Sequence, residues 1–414
     1  MSRRWSIFAI TSALFFLSQF YRTSNAVIAP QLANDLSLDT ENLGLMSASF
    51  FYAFALTQIP LSLLLDKIGA RRMMTILSLV GVFGAFVFSL ADSIGLGLVG
   101  RILLGIGMSC NLMGTLKLVS VWFSPLAFAT LAGIVFSIGT LGNIVATTPL
   151  VLMVAQMGWR HSFQFMALIN LFLIIGLFLI VRDHPEEVIT EASDDKATAG
   201  FSRSVANMKL LFRQKDYWII SFSTFVRYGV FAAFQALWAG PYLIEVMGFS
   251  AVNAGNLIFL MNIGLLTGGP FWGMVSDKIL KTRKWIIFLS LIALILITLA
   301  FASIQAAPQL AVLAMLFFGF GFFSGGGLLM YPHIKDLMPL EMAGAAMTGI
   351  NFFTMVGPAV FLQGIGNLMQ SLYPEASRGP EAFHAAFLVC VGCLAVVATM
   401  YFFTKDQIQV PNLD

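Results

Sequence analysis

Apolar runs of about twenty residues, parted by short polar turns, recur from one end of this chain to the other. A helix needs about 20 residues to cross the hydrocarbon core of a bilayer. Inside that core every backbone amide and carbonyl must find a partner within the protein, which a helix achieves alone and an open strand does not. The runs therefore dictate an all-α integral membrane fold. Composition agrees: of 414 residues, 58% are hydrophobic and 10% charged, against roughly 25% charged in soluble domains. So few charges could not cover a soluble surface, and the lipid bilayer is the partner of the outer surface. The net charge of +3 is too small to argue for a nucleic-acid partner. The opening MSRRWSIFAI begins like a signal peptide, but its apolar run is long and has no small-residue cleavage site. It is expected to remain as the first span.

Twelve spans are expected, at 5–33, 43–65, 72–91, 95–121, 126–155, 162–181, 217–245, 251–276, 285–304, 308–335, 342–370 and 382–403. The one long polar break, 182–216, contains DHPEEVITEASDDKATAG and reads as a flexible linker with a short surface helix. It separates an N-terminal six-helix bundle, 1–181, from a C-terminal one, 217–414. Of the 23 lysines and arginines, only Arg160 and Arg378 fall in loops on the side away from the linker. Positive charge gathers on the cytoplasmic side, so both termini are expected there, with the chain multi-pass in a cell inner membrane. The halves repeat. One constant shift lays Pro30 on Pro241, Leu32 on Leu243, Gly44 on Gly255, Asp66 on Asp277 and Lys67 on Lys278. Repeated halves point to a transporter whose substrate sits near the midplane between them.

Four cations lie within the expected spans, Arg101 of span 4 and three more. Arg22 stands midway along span 1 in FLSQFYRTSNAVIAP, Arg227 in span 7, and Lys117 toward the cytoplasmic end of span 4. A cation at mid-bilayer costs roughly 2.5–3.5 kcal/mol on insertion scales. The spans hold almost no aspartate or glutamate to pair with them. Each must meet water, helix carbonyls or a mobile anion, and arginine can grip a carboxylate with two parallel bonds. The expected substrate is a small organic anion, by that chemistry a carboxylate. Phe15, Ser18, Arg22, Asn25 and Ala29 share one helix face, and Arg227, Phe231, Phe234 and Trp238 another. Tyr21, Gln235, Tyr242, Asn351 and Asn143 are candidate polar contacts. Lone aromatic faces are ordinary helix packing; here they count because they share faces with cations. His333 in span 10 is the candidate for proton coupling, against the plainer reading of a solvated histidine at a helix end. No phosphate-binding glycine loop or hydrolase motif is present, so neither ATP drive nor an enzyme is expected. No cofactor or metal is expected, and Cys390 and Cys393 read as small apolar residues of span 12.

Residues 66–74, DKIGARRMM, follow span 2, and 273–284, GMVSDKILKTRK, follow span 8. The first resembles the signature loop of the major facilitator superfamily at Asp66, Lys67, Gly69, Arg71 and Arg72, with Ser62 where the family carries glycine. The second keeps Gly273, Asp277, Lys278 and Arg283, and RILLGIG in span 4 matches a further family motif at Arg101, Gly105 and Gly107. The resemblance implies two six-helix bundles, alternating access and a monomer. It also implies a cytoplasmic latch of Asp66, Arg71, Arg72 and Asp277, with Arg101 in a gating or structural role. QFYRTSNAVIAPQL, FFYAFALTQIP and GWRHSF look similar to the organic-anion branches, especially the anion:cation symporters. Those carry Asp-Arg where this chain has Tyr21-Arg22, and often a glutamate where it has Met108. Both departures remove carboxylates tied to proton symport. Uptake of a bare anion against a membrane potential costs roughly 2.3 kcal/mol per 100 mV, which leaves proton co-transport, exchange for a counter-anion, or export. The rival readings are a drug or metabolite exporter and a transporter-like sensor. The first predicts that Arg22 substitution spares neutral cargo, the second saturable binding without translocation.

Overall fold

Residues 3–184, 211–304, 309–338 and 340–406 are described by a computed structural model. Most of the expected linker, with its surface helix, lies outside the described residues. Among the described residues there are helices and no strands. They form twelve rods in the expected order, and nine of them are by themselves long and apolar enough to cross a membrane. The other three are span 1, span 2 (Thr40–Ile68) and span 5. Span 1 is broken at Ser24 into Arg3–Thr23 and Asn25–Asp35. Span 5 is broken at 146–147, and its continuation runs straight into span 6 within the helix Thr148–Ile180. The turn between them is at Gly158, whose φ of 75° and ψ of 163° are not helical. Residues 148–157 thus complete span 5, and 159–180 are span 6. Glycine suits that left-handed position because it has no Cβ to clash.

Lipid tails are as apolar as leucine, so packing between spans relies on small residues and close backbone approach rather than on exclusion of water. Span 4 shows this. A Cβ on Gly105 would strike the carbonyl of Phe50 in span 2, and one on Gly107 would strike Gly81 in span 3. The glycines of the RILLGIG motif are therefore contact points. Near the linker end, Ile7, Leu14, Leu61, Leu65, Met74, Leu118 and Leu177 form one apolar cluster that joins spans 1, 2, 3, 4 and 6. Side chains such as Phe172, Leu179 and Met315 point outward and are 75%, 69% and 67% exposed. In a bilayer these meet acyl chains.

Contacts divide the chain into two compact units that do not follow the linear halves. One comprises Met1–Val188, Ala233–Asn262 and Leu362–Ala382. The other comprises Ile189–Ala232, Ile263–Phe361 and Phe383–Asp414. Spans 7, 8 and 11 each change unit along their length. In span 7 the change falls where the α-helix widens into a π-helical stretch, Phe234–Trp238, followed by a second, Tyr242–Val246. Such wider turns carry an extra residue and are frequent at functional sites. They also break the α-helical register on which Arg227 and Trp238 were expected to share a face.

Candidate functional site

Within the first unit the site begins with the break in span 1. Arg101, fully buried in span 4, donates from Nη1 to the carbonyl oxygen of Tyr21 at 2.9 Å, and the hydroxyl of Ser24 donates to the same oxygen at 3.2 Å. The guanidinium lies 4.9 Å from the ring centroid of Phe50 and 5.8 Å from that of Phe88. Nε and Nη2 of Arg101 are buried and meet no acceptor among the described residues. Arg101 therefore braces the helix one residue before Arg22. That place is interior, and among the described residues no hydrogen bond or ion pair joins it to the signature loops.

Arg22 is 7% exposed and stands over the rings of Phe54 and Phe51 at 5.1 and 5.8 Å. Cation–ring contacts of this kind are worth roughly 0.5–2 kcal/mol, which offsets part of the cost of burial. One turn on, Asn25 Nδ2 donates to Ser47 Oγ at 2.9 Å. Its Oδ1 is buried without a donor. Tyr21 points elsewhere: its ring packs with Phe20 and Phe163, and its hydroxyl is buried without a partner. Lys117 donates to the carbonyl of Leu65 at 2.9 Å. Leu65 lies in the last turn of span 2, where a cation satisfies orphan carbonyls and the negative helix end. Gln235 Nε2 donates to Asn262 Oδ1 at 2.6 Å, and Trp238 Nε1 to the carbonyl of Leu362 at 3.2 Å. Thr23, which sequence reasoning passed over, donates to Asn143 Oδ1 at 3.3 Å.

The second unit holds Arg227, 4% exposed. Its Nη1 donates to the carbonyl of Ser324 at 2.8 Å, while its Nε is buried with no acceptor. No carboxylate pairs with it among the described residues. The guanidinium fits against Gly327, where a Cβ would overlap it. The Gly325–Gly326–Gly327 run of span 10 is thus a contact strip: Gly325 meets Gly268 and Gly269, Gly326 meets Ser290, and Gly327 meets Arg227. Asn351 accepts from the hydroxyl of Tyr331 at 3.3 Å, and Thr354 shares that hydroxyl at 3.0 Å. His333 is fully buried, unlike the solvated histidine of the plainer reading. Its Nε2 lies 2.9 Å from the carbonyl of Lys405, so Nε2 carries a proton. In the neutral ring Nδ1 then accepts from the hydroxyl of Tyr401 at 2.5 Å.

The signature loops are tied locally. Arg71 donates to the carbonyl of Phe178 at 2.5 Å, and its backbone amide to Asp183 Oδ1 at 2.9 Å. Gly69 has φ of 88°, and a Cβ there would press on the Asp183 carboxylate at 2.6 Å. Arg72 is exposed, and the side chain of Asp66 lies outside the described residues. In the other unit Asp277 and Arg283 form an ion pair, and Arg283 Nε meets Asp336 at 3.2 Å. The sequence missed an equivalence. Trp122, closing span 4, donates to the carbonyl of Arg182 at 2.9 Å, as His333 of span 10 meets that of Lys405. The next residue in each case is an aspartate that caps a helix start: Asp183 takes the amide of Arg71, and Asp406 those of Arg283 and Lys284 at 3.3 Å. Asp406 also takes the hydroxyl of Thr282 at 2.5 Å. The dipeptides Arg182-Asp183 and Lys405-Asp406 each follow the sixth span of a half, and that matched position was the available signal.

At the ends away from the linker, the first unit is interlocked. The hydroxyl of Tyr52 donates to Gln363 at 3.0 Å, and those of Thr40 and Ser377 meet at 2.7 Å. Thr148 meets Asn256 at 2.7 Å. Gly240 lies directly on the carbonyl of Ala26, leaving no room for a Cβ. Asp35, at the end of span 1 beyond the apolar run, accepts from Trp159 at 2.9 Å and from Arg160 at 2.5 Å. These bonds hold its carboxyl below the usual carboxylate range, against a smaller opposite push from burial.

A sequence profile described as Major Facilitator Superfamily matches residues 11–362. The chain is 25% identical over 376 residues to the "Probable sulfoacetate transporter SauU" of Cupriavidus necator, covering 86% of each chain. It is 25% identical over 420 residues to the "Probable galactarate/D-glucarate transporter GarP" of Escherichia coli K12, covering 94% of this chain and 91% of that one. Among solved structures it is similar to a bacterial homologue of the human lysosomal transporter Spinster. The TM-score there is 0.78 at 16% identity, with 97% of each chain covered.

Proposed function

This chain belongs to the major facilitator superfamily, and from that premise we propose that it is a secondary carrier of a small organic anion working by alternating access. It is a transporter and not an enzyme, with the all-α fold expected of the family. The relatives' names give sulfoacetate and the sugar diacids galactarate and D-glucarate, all organic anions. The observation that carries the reading is Arg227: buried, with one bond to a backbone carbonyl, an Nε that meets no acceptor, and no carboxylate partner among the described residues. A permanent cation so placed is stabilised by an anion that comes and goes.

Arg227 and Arg22 are the proposed anion ligands, with Asn25 and Asn351 as polar neighbours on their respective units. Tyr21, Lys117, Gln235 and Trp238 support the scaffold in this conformation. Linear halves 1–181 and 217–414 are the proposed moving bodies, in a monomer within the inner membrane with both termini cytoplasmic. Arg71, Arg72, Asp66 and Asp277 remain the proposed latch, with Asp183 and Asp406 as its anchors. Coupling is to protons or to a counter-anion. His333, buried against Tyr401, is the proposed proton-handling group.

A thermal-shift screen of carboxylates and sulfonates on purified protein, followed by counterflow in proteoliposomes, tests the reading. A hit should lose roughly 10–100-fold in affinity in Arg227→Ala, the value of a bond to a charged group. Unchanged affinity in both Arg227→Ala and Arg22→Ala, or transport of neutral cargo alone, would overturn it. Under an imposed pH gradient, His333→Gln should abolish acceleration of uptake if protons are coupled, and leave anion exchange intact.

A further inference from the structure

On the lipid-facing side of the second unit, spans 9 and 12 flank an open groove of about 370 Å³. Phe288, Ile292 and Ile295 line one wall; Ala395, Thr399 and Phe402 line the other. The one hydroxyl among these residues, that of Thr399, is already bonded to the carbonyl of Ala395 at 2.9 Å. Nothing along these walls asks for a polar ligand, so the interior suits hydrocarbon. The lining residues of span 9 cover seven residue steps, about 10 Å of helix. That is a large part of one leaflet of a hydrocarbon core about 30 Å thick.

The linker-side end of the groove is different. Lys284 places its ammonium 5.0 Å from the ring centroid of Trp285 and 5.3 Å from that of Phe402. Lys215, at the start of span 7, stands 6.0 Å from the ring of Phe403, which also lines the groove. The nearby carboxylates are Asp216, beside Lys215, and Asp406, which is held by Thr282 and the amides of Arg283 and Lys284. Trp285 is 47% exposed, as suits an indole at headgroup depth. We propose that this groove is a binding site for an anionic phospholipid, with an acyl chain between spans 9 and 12 and its phosphate at Lys284 and Lys215. Apolar walls with two ammonium groups at one end complement such an amphiphile; a zwitterionic lipid fits the walls but gains less from the cations.

The test uses the full-length protein in nanodiscs containing phosphatidylglycerol or phosphatidylcholine with brominated acyl chains. Trp285 emission is taken as the difference between the native protein and Trp285→Phe. Brominated phosphatidylglycerol should quench it at about thirtyfold lower mole fraction than phosphatidylcholine, the value of two lysines near an anionic headgroup. Lys284→Gln with Lys215→Gln should remove the preference while leaving quenching by phosphatidylcholine. Ala395→Phe, which fills the groove from its exposed wall, should weaken quenching by both. Equal quenching by the two lipids in the native protein, or a preference that survives the double glutamine variant, overturns the proposal.

Discussion

Side chains whose type was legible in the sequence took partners that were not. Arg22 and Arg227 are buried, as their places in apolar runs required. Lys117 is equally basic, yet it lies on the last turn of span 2, because a flexible stem reaches whichever carbonyl is nearest. Gly327 shows how narrowly Arg227 is placed. Gly327→Ala should displace the guanidinium and weaken anion affinity about tenfold, as loss of one charged bond would, with little change in Tm. Titration of the anion hit against that variant checks this. Asp35 offers a pH test. Its folded carboxyl is held low by Trp159 and Arg160, so its contribution is present above the unfolded value of about 3.9 and is lost as pH falls through the lower folded value. Between pH 5 and 8 Asp35→Asn should therefore lower Tm by a constant small amount, and the difference should vanish only in strong acid. Thermal melts of both proteins across that range measure it.

At the scale of single elements, the informative features are interruptions. Span 1 breaks at Ser24, where Arg101 and the Ser24 hydroxyl share the carbonyl of Tyr21. Span 7 widens into π-helical turns, and span 10 tightens to a 3-10 turn at Gly327–Leu329. Periodicity reports only the average pitch of a helix, so these departures and their registers were invisible to it. The two caps are also tertiary, since each aspartate follows the last span of its half and serves the third. Asp183→Ala and Asp406→Ala should each cost about 1 kcal/mol, as lost helix caps do. They share no partner, so the double variant should lose the sum. Denaturation of the three variants in detergent decides it, and strong non-additivity would show that the two clips are not separate.

For the molecule as a whole, we propose that the interlocked ends of the first unit act as a closed gate on the side away from the linker. Gly240→Val should be unable to form it, because the carbonyl of Ala26 occupies the position of any Cβ. The variant is expected to insert normally and lose most counterflow, while a cysteine introduced at Gln363 becomes labelled by an impermeant maleimide from outside. Normal counterflow with a protected cysteine would count against this gate. Twelve spans, their order and the repeat of the halves were legible because hydropathy and its period are properties of short segments, and so was the burial of two arginines. The division into units, the turning of Tyr21 onto Phe163, the burial of His333 against Tyr401 and the paired caps required the folded chain. Local chemistry sets which groups must be satisfied inside a membrane; only the approach of distant segments decides by what.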